Sequence, residues 1–134
     1  MIVIGAYLKR RSNLIFLAAK KEQLSVRELA LTFGESFSNL ELYGIATGYS
    51  ADLEGTASTK QMMAVYDFFE EVIEKSIDVM NAVTVNITRK NEALFVVINT
   101  DADVDYAALM SDAEMIRDED GEWQLIYDAG KADV

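Results

Sequence analysis

The stretch MMAVYDFFEEVIEKSIDVM (residues 62–80), followed at once by AVTVNITRKNEALFVVIN (residues 82–99), decides the fold. In the first stretch, apolar residues recur every three or four positions, which predicts a helix that buries one face. The second stretch holds two runs rich in Val, Ile and Thr, separated by the polar turn RKNE. This pattern predicts a β-hairpin with strands at 82–88 and 93–99. A one-sided helix beside a hairpin indicates an α+β domain.

The two faces of the 62–80 helix differ in chemistry. The predicted buried face holds Met62, Val65, Phe69, Val72, Ser76 and Met80. The predicted solvent face holds Asp67, Glu70, Glu71, Glu74 and Asp78. Neighbouring carboxylates raise one another's pKa, so Glu70, Glu71 and Glu74 allow an acid/base site as one interpretation. No nucleophile or basic partner accompanies them, and we therefore expect a solvated helix face.

The rest of the chain supplies further helices and strands. Apolar residues at near-heptad spacing predict a helix over residues 4–21. Ser25 and Glu28 fit a capping box, which predicts a second helix starting there. That helix would bury the face that carries Val26, Leu29, Ala30, Phe33, Phe37 and Leu40. We expect a strand at 43–49, a polar loop at 50–59, a short helix at 105–112, and a hairpin of 114–117 with 122–127.

Composition excludes several kinds of site. The 134 residues include no Cys and no His. The chain therefore has no disulfide, no thiolate metal site, no Cys nucleophile and no histidine that accepts a phosphoryl group. Ser12, Ser25 and Ser36 have no histidine to activate them, which excludes a serine-hydrolase triad. No apolar run approaches the length of a membrane span, and we expect a cytoplasmic location.

The charge is unevenly distributed. Residues 1–21 hold five basic residues and no acidic one, whereas residues 22–134 hold 7 basic and 23 acidic residues. The first part thus carries +5 and the second −16, which add to the net −11. An acidic body repels nucleic acid, because nucleic-acid binding depends on neutralising phosphates. This asymmetry predicts a boundary near residues 21–23.

In order and spacing, the 62–80 helix, the hairpin and the acidic turn at residues 100–103 resemble the ATPase domain of bacterial sensor histidine kinases. The stretch GAYLKRRSNL (residues 5–14) is similar to the second helix of the dimerisation hairpin in that family. Residues 29–45 are similar to the segment that leads into the ATPase-like domain of that family, and residues 66–70 are similar to the start of its first nucleotide-facing helix. The resemblance implies a two-layer α/β sandwich with a mixed sheet covered by helices on one face. It also implies a partial dimerisation helix at 1–22 and a histidine kinase ATPase-like domain at 23–134.

The resemblance implies ATP and Mg²⁺ as ligands, but the residues that would hold them are changed. The family carries a Glu and, four residues later, a magnesium-binding Asn on its first helix. Here Glu70 or Glu71 fills the first position, and Glu74 or Lys75 the second. The family's adenine-reading Asp-x-Gly turn corresponds to Asp101, with Asp103 in place of the glycine.

The phosphate-binding part of the family's site is also missing. No glycine occurs between Gly55 and Gly121, although close approach of backbone amides to phosphate favours glycine. Residues 101–120 hold eight acidic residues and one base, Arg117. We therefore expect only a vestigial pocket at Glu70, Glu74 and Asp101, with no catalytic residue and no cofactor.

A calcium site is a second interpretation of the acidic turn. Asp101, Asp103, Asp105 and Asp112 match four ligand positions of an EF-hand loop. Tyr106 occupies the position where that loop requires glycine. We expect instead that Asp103 or Asp105 caps the short helix, and that no metal binds.

Three functions remain open on the sequence. The first is a pseudokinase: a signalling module of two-component origin that acts through dimerisation and contacts with another signalling protein. The second is a divergent ATP-binding kinase domain, in which case ATP and Mg²⁺ are cofactors. The third is an unrelated acidic protein-interaction domain. For the first, we expect a homodimer through Ile4, Leu8 and Ile15, and membrane contact only through a segment upstream of this chain.

Overall fold

The computed structural model describes residues 23–52, 56–90, 92–109 and 113–130. The expected helix at 4–21 lies outside these residues, and so do the candidate dimer contacts Ile4, Leu8 and Ile15. Asp112, one of the four candidate calcium ligands, also lies outside them.

The described part of the chain contains seven strands and three α-helices. In chain order they are β1 (Gln23–Ser25), α1 (Val26–Glu41), β2 (Ala46–Asp52), β3 (Thr56–Ser58), α2 (Thr59–Ser76), β4 (Ala82–Lys90), β5 (Ala93–Thr100), α3 (Tyr106–Leu109), β6 (Glu114–Arg117) and β7 (Trp123–Asp128). A 3₁₀ turn, Ile77–Val79, follows α2.

The main sheet is mixed, as the resemblance implies. Its strands lie in the order β2-β4-β5-β7-β6. β2 runs parallel to β4, and the other neighbours are antiparallel. β1 and β3 form a separate antiparallel pair. The two predicted hairpins, β4–β5 and β6–β7, are confirmed.

One face of the sheet is covered by α1 and α2. In β5 the side chains alternate between buried and half-buried, so one side of the strand faces the core. The helices supply aromatic side chains to this core: Phe33 of α1 stacks on Tyr49 of β2, and Phe68 of α2 stacks on Tyr127 of β7. Each predicted buried residue of α2 and its following turn is buried: Met62, Val65, Phe69, Val72, Ser76 and Met80. The two-layer sandwich is therefore confirmed.

The strand expected at 43–49 is displaced along the chain. α1 continues to Glu41, and a turn follows in which the amides of Tyr43 and Gly44 donate to the carbonyls of Leu40 and Glu41. Gly44 has a φ of 81°, which favours glycine. Because this turn uses the residues up to Ile45, β2 begins only at Ala46.

The loop expected at 50–59 contains strand structure. β2 continues to Asp52, and β3 pairs residue by residue with β1. Ser58 then caps α2, because its hydroxyl oxygen accepts a hydrogen bond from the Gln61 amide at 3.3 Å. The composition of this stretch is polar, and only its pairing partners, distant in sequence, make it extended.

No helix of the described part of the chain is both long enough and apolar enough to cross a membrane.

Candidate functional site

Glu70 lies in the protein interior, which corrects its predicted place on a solvated face. Its side chain is 2% exposed, and its Oε1 accepts a hydrogen bond from the Ser36 hydroxyl at 2.9 Å. Ser36 Oγ also lies 3.0 Å from the hydroxyl of Tyr66. A serine has a single hydroxyl proton, which here goes to Glu70, so Tyr66 is the donor to Ser36. These bonds compensate part of the cost of burying a carboxylate between α1 and α2.

Glu71 and Glu74 lie on the outer surface of α2, as predicted. Glu71 forms an ion pair with Lys75, one helical turn later, at 3.8 Å. Of the two possible Glu positions in the resemblance, the buried Glu70 points towards α1, and only Glu71 is exposed. The residue four positions after Glu71 is a cation rather than an Asn.

Asp101 follows β5 and is hydrogen-bonded to the chain itself. Its Oδ1 accepts from the backbone amides of Asn81 and Ala82, each at 3.0 Å. Partial burial acts to raise the pKa of Asp101, but hydrogen bonds from these two amides, from the Asn81 side chain and from its own backbone outweigh it and hold the pKa below its usual value. The carboxylate therefore ties the start of β4 to the end of β5.

Glu70, Glu74 and Asp101 have separate surroundings. Glu70 bonds to a side chain of α1, Glu74 is exposed, and Asp101 bonds to the backbone before β4. The hydrogen bonds described for these carboxylates do not bring them to a common partner. That no nucleotide binds among these three carboxylates stays a prediction.

An aromatic group lies directly after the Asp101 turn. The Tyr106 ring is completely buried and meets the Trp123 ring edge to face, with 5.5 Å between centroids. Burial raises the pKa of the Tyr106 phenol, the nearby Ser76 hydroxyl acts against this, and the Asp101 charge adds to the rise. Tyr106 and Asp101 therefore share one end of the sheet.

Arg117, an exposed residue of β6, contacts the turn after Asp101 and the Trp123 ring. Its Nη2 lies 3.0 Å from Asp103 Oδ1, and its Nε donates to the Gly121 carbonyl at 3.2 Å. The guanidinium carbon lies 5.3 Å from the centre of the Trp123 ring, within the range of a cation–π contact. Arg117, the one basic residue of the acidic segment, thus joins β6 to the turn that follows Asp101.

Two other acidic residues of this segment, Asp105 and Asp118, support turns. Asp105 Oδ1 accepts from the Ala108 amide at 3.3 Å, as expected of a cap. Asp118 Oδ1 accepts from the amides of Asp120 and Glu122 in the β6–β7 turn. Across residues 23–130, apart from the gaps given above, no three acidic side chains are grouped to hold a metal ion. The calcium hypothesis also depends on Asp112, which is not described.

A shallow cleft of 170 Å³ lies at the end of the β6–β7 hairpin. Three of its lining residues, Asn99, Gln124 and Ile116, occupy neighbouring positions on β5, β7 and β6. The other lining residues are Asp118, Glu122 and Trp123. No residue of the vestigial pocket lines it.

The sequence does not predict the buried Ser36–Glu70 network or the contact between Tyr106 and Trp123. Glu70 follows the helical spacing of the acidic face, and only its position relative to Ser36 reveals its burial. Tyr106 conflicts with a calcium loop, but the sequence does not show that its ring contacts Trp123. A signal was present, because Tyr106 is the only aromatic residue among 101–120.

Solved structures resemble this fold. The histidine kinase domain of the blue-light activated histidine kinase from Erythrobacter litoralis EL346 superimposes with a TM-score of 0.53 and 13% identity, covering 90% of this chain and 78% of that one. A bacterial phosphotransferase superimposes with a TM-score of 0.58 and 8% identity, covering 93% of this chain and 73% of that one. The chain has a histidine kinase ATPase-like fold.

Sequence comparison adds no relative: no family model matches the chain, and no curated protein matches it.

Proposed function

We propose that this chain is a signalling or regulatory module of the histidine kinase type that binds no ATP and transfers no phosphoryl group. The main support for the proposal is that the Asp101 carboxylate is hydrogen-bonded within the chain itself. Its carboxylate holds two backbone amides, and the fully buried ring of Tyr106 lies beside it. In the resemblance, this aspartate reads the adenine.

The surface of α2 supports the same function. If Glu71 corresponds to the family's glutamate, the position of the magnesium-binding Asn holds Lys75, which forms an ion pair with Glu71. An ammonium group cannot coordinate a metal ion, because it has only donors and a positive charge. A Mg²⁺ ion at this point would be repelled.

The acidic segment is a third support. Glu114, Asp118, Glu119, Asp120 and Glu122 are all exposed around the β6–β7 hairpin. The nearby cation, Arg117, is held by Asp103 and Gly121. A triphosphate would meet negative charge here and no glycine-rich loop. The chain also has no histidine to accept a phosphoryl group.

The alternatives differ in what supports them. The histidine kinase ATPase-like fold favours a kinase-derived module over an unrelated acidic interaction domain. A divergent ATP-binding domain keeps the same fold and is distinguished only by ligand binding. On our proposal the module acts as a cytoplasmic homodimer that contacts another signalling protein.

Calorimetric titration with Mg-ATP tests the proposal. We expect no heat of binding and no rise in Tm up to millimolar nucleotide, with an active histidine kinase domain as the positive control. Binding at micromolar concentration, or ATP hydrolysis above the buffer background, would show that the divergent kinase is the correct function.

Two variants sharpen this titration. Lys75→Asn places an Asn four residues after Glu71, and Glu74→Asn places an Asn four residues after Glu70. Each variant restores the spacing of the family's magnesium ligand. Because Asp101 and Tyr106 are unchanged, we expect neither variant to bind Mg-ATP at micromolar concentration. Strong binding by Lys75→Asn would show that the helix alone, rather than the Asp101 end of the sheet, prevents nucleotide binding.

A further inference from the structure

The main sheet has an outer face, turned away from α1 and α2, on which apolar side chains form a stripe. Leu125 of β7 is buried in the core, so the next residue, Ile126, belongs to this outer face. Val97 of β5 pairs with Ile126 and lies beside it. By the same alternation and register, the large apolar residues of the outer face are Phe95, Val97, Ile126 and Ile116. They occupy neighbouring positions and form one contiguous stripe.

This apolar stripe has access to solvent. Ile116 is 50% exposed, and the other three side chains are half-buried. In contrast, Val96 and Ile98, which alternate with the stripe along β5, are completely buried on the side of the helices. A contiguous apolar patch that reaches solvent is typical of a surface that contacts another molecule.

Carboxylates border the stripe on the side of the β6–β7 hairpin. Four of them lie on these two strands or in the turn that joins them: Glu114, Asp118, Glu122 and Asp128. Arg117, the one cation of this hairpin, is paired with Asp103. On the outer face of the described strands, the register places one cation, Lys90, at the end of β4. The charge beside the stripe is therefore negative.

The cleft of 170 Å³ lies where the stripe meets this acidic border. Ile116 of the stripe lines the cleft, and so do the border residues Asp118 and Glu122. Asp118 Oδ1 accepts from two backbone amides of the hairpin turn, which fix the carboxylate at this place. Carboxylates are the preferred acceptors for a guanidinium group, whose N–H donors form a planar fork. The cleft therefore suits an arginine side chain.

We propose that this module contacts its signalling partner through the outer face of the sheet, and that the partner presents a basic amphipathic helix. The apolar side of that helix covers the stripe, as α1 and α2 cover the opposite face, and an arginine enters the cleft. The chain's net charge of −11 repels nucleic acid and anionic lipid. This inference rests on the proposed function, because it names the contact surface of the module.

A synthetic peptide tests this surface on the full chain. The peptide has about 18 residues, roughly five helical turns, with Leu along one side, Arg and Lys elsewhere, and no Trp. Trp123 lines the cleft and is the single tryptophan of the chain, so its fluorescence follows the titration. We expect saturable binding at micromolar concentration that weakens as salt is added, because the carboxylates are screened. The same peptide with Glu in place of Arg and Lys should not bind.

Two variants of the outer face should weaken binding. Ile116→Ser removes an apolar contact, and the double variant Glu114→Gln with Glu122→Gln removes two charges of the border. Each should raise the dissociation constant of the basic peptide about tenfold. All three side chains are exposed in the free chain, so circular dichroism should show an unchanged fold.

Matched controls make the same changes on the helices, on the other side of the sheet. Leu31 of α1 is 63% exposed, so Leu31→Ser removes a comparable apolar side chain. The double variant Glu71→Gln with Glu74→Gln removes two exposed charges of α2. Both should change the dissociation constant by less than about twofold. Equal weakening by the outer-face and control variants, or no binding of the basic peptide, would overturn the proposal.

One further outcome distinguishes a separate partner from this chain itself. If the peptide binds only after Ile4, Leu8 and Ile15 are replaced by Glu, the chain's own first residues cover the outer face, and the proposal of a separate partner is wrong. Binding of Mg-ATP by the unmodified chain would contradict the proposed function without changing the peptide titration, so the two failures are distinguishable.

Discussion

At the scale of single residues, buried polar side chains join parts of the chain that lie far apart in sequence. Gln61 is 6% exposed, and its Oε1 accepts from the Leu94 amide at 2.7 Å while its Nε2 donates to the Glu92 carbonyl at 3.4 Å. One side chain at the start of α2 therefore fixes the start of β5. Glu92 itself has a φ of 66°, so the turn it belongs to is conformationally demanding.

Replacing Gln61 should destabilise the domain. Gln61→Leu leaves the buried Leu94 amide without its acceptor, and we expect a loss of about 1–3 kcal/mol in the free energy of unfolding. Urea denaturation followed by circular dichroism measures it. The control is Gln124→Leu, on the other face of the sheet, where the Gln124 side chain makes no hydrogen bond to the described residues and the change should stay within about 0.5 kcal/mol. Equal effects of both variants would contradict the role of Gln61.

The Asp101 carboxylate should make stability depend on pH. Its pKa is lower in the folded chain than in the unfolded chain, where it is near 3.9. The charged form is thus favoured by folding, and its contribution is present above the unfolded value and lost as the pH falls through the folded one. Solvent screens this partly exposed group, so we expect Asp101→Ala to cost roughly 1 kcal/mol at pH 7.

The pH series includes a control. The cost of Asp101→Ala should decrease as the pH falls below about 4. Asp78→Ala, at an exposed position after α2, should show little cost at either pH. If the cost of Asp101→Ala in unfolding free energy stays constant down to the lowest pH measured, the hydrogen bonds do not depend on the charge of the Asp101 carboxylate.

At the scale of elements, the contact between α1 and α2 is an aromatic interface around one polar network. Phe69 of α2 meets the rings of Phe33 and Phe37 of α1, with 5.1 and 5.6 Å between centroids. The Ser36–Glu70 bond lies in the same helix pair. Apolar contact supplies most of the attraction here, while the hydrogen bonds restrict how the helices align.

The variant Phe69→Ala tests how much this interface contributes to the free energy of unfolding. Phe69 is completely buried, and we expect its truncation to cost roughly 3–5 kcal/mol of unfolding free energy. Phe95→Ala is the control, because Phe95 lies half-buried on the opposite face of the sheet and should cost less. A loss below about 1 kcal/mol for Phe69→Ala would contradict the proposed packing of the two helices.

At the scale of the whole molecule, the uneven charge bears on assembly. The described domain belongs to the acidic part, whereas residues 1–21 carry +5. Within those residues the spacing of Ile4, Leu8 and Ile15 predicts an apolar stripe, and a stripe of this size seldom stays exposed.

We predict that the chain forms a two-fold dimer through residues 4–21. Lys9, Arg10 and Arg11 should lie at the rim of this interface, where solvent screens them. Replacing Ile4, Leu8 and Ile15 together by Glu should give monomers whose circular dichroism shows a folded domain. Light scattering that finds the unmodified chain monomeric at high micromolar concentration would refute the interface.

The sequence by itself determined the elements that have strong local patterns. The apolar face of α2 and the β-branched runs of β4 and β5 are periodic, and period alone distinguishes a helix from a strand. The order of these elements, with the Asp101 turn, was enough to indicate the fold. The helix start after Ser25 also follows from a local signal, because a capping box involves residues only three positions apart.

Only the tertiary structure decided the features that depend on distant partners. β3 is a strand because β1, more than thirty residues earlier, pairs with it. Glu70 is buried because Ser36 of another helix donates to its carboxylate, although its spacing matches an exposed face. The edge-to-face contact of the Tyr106 ring likewise needs Trp123 from β7. Hydrogen bonds and ring contacts act over a few ångströms in space, and the sequence does not state which distant residues the fold brings within that range.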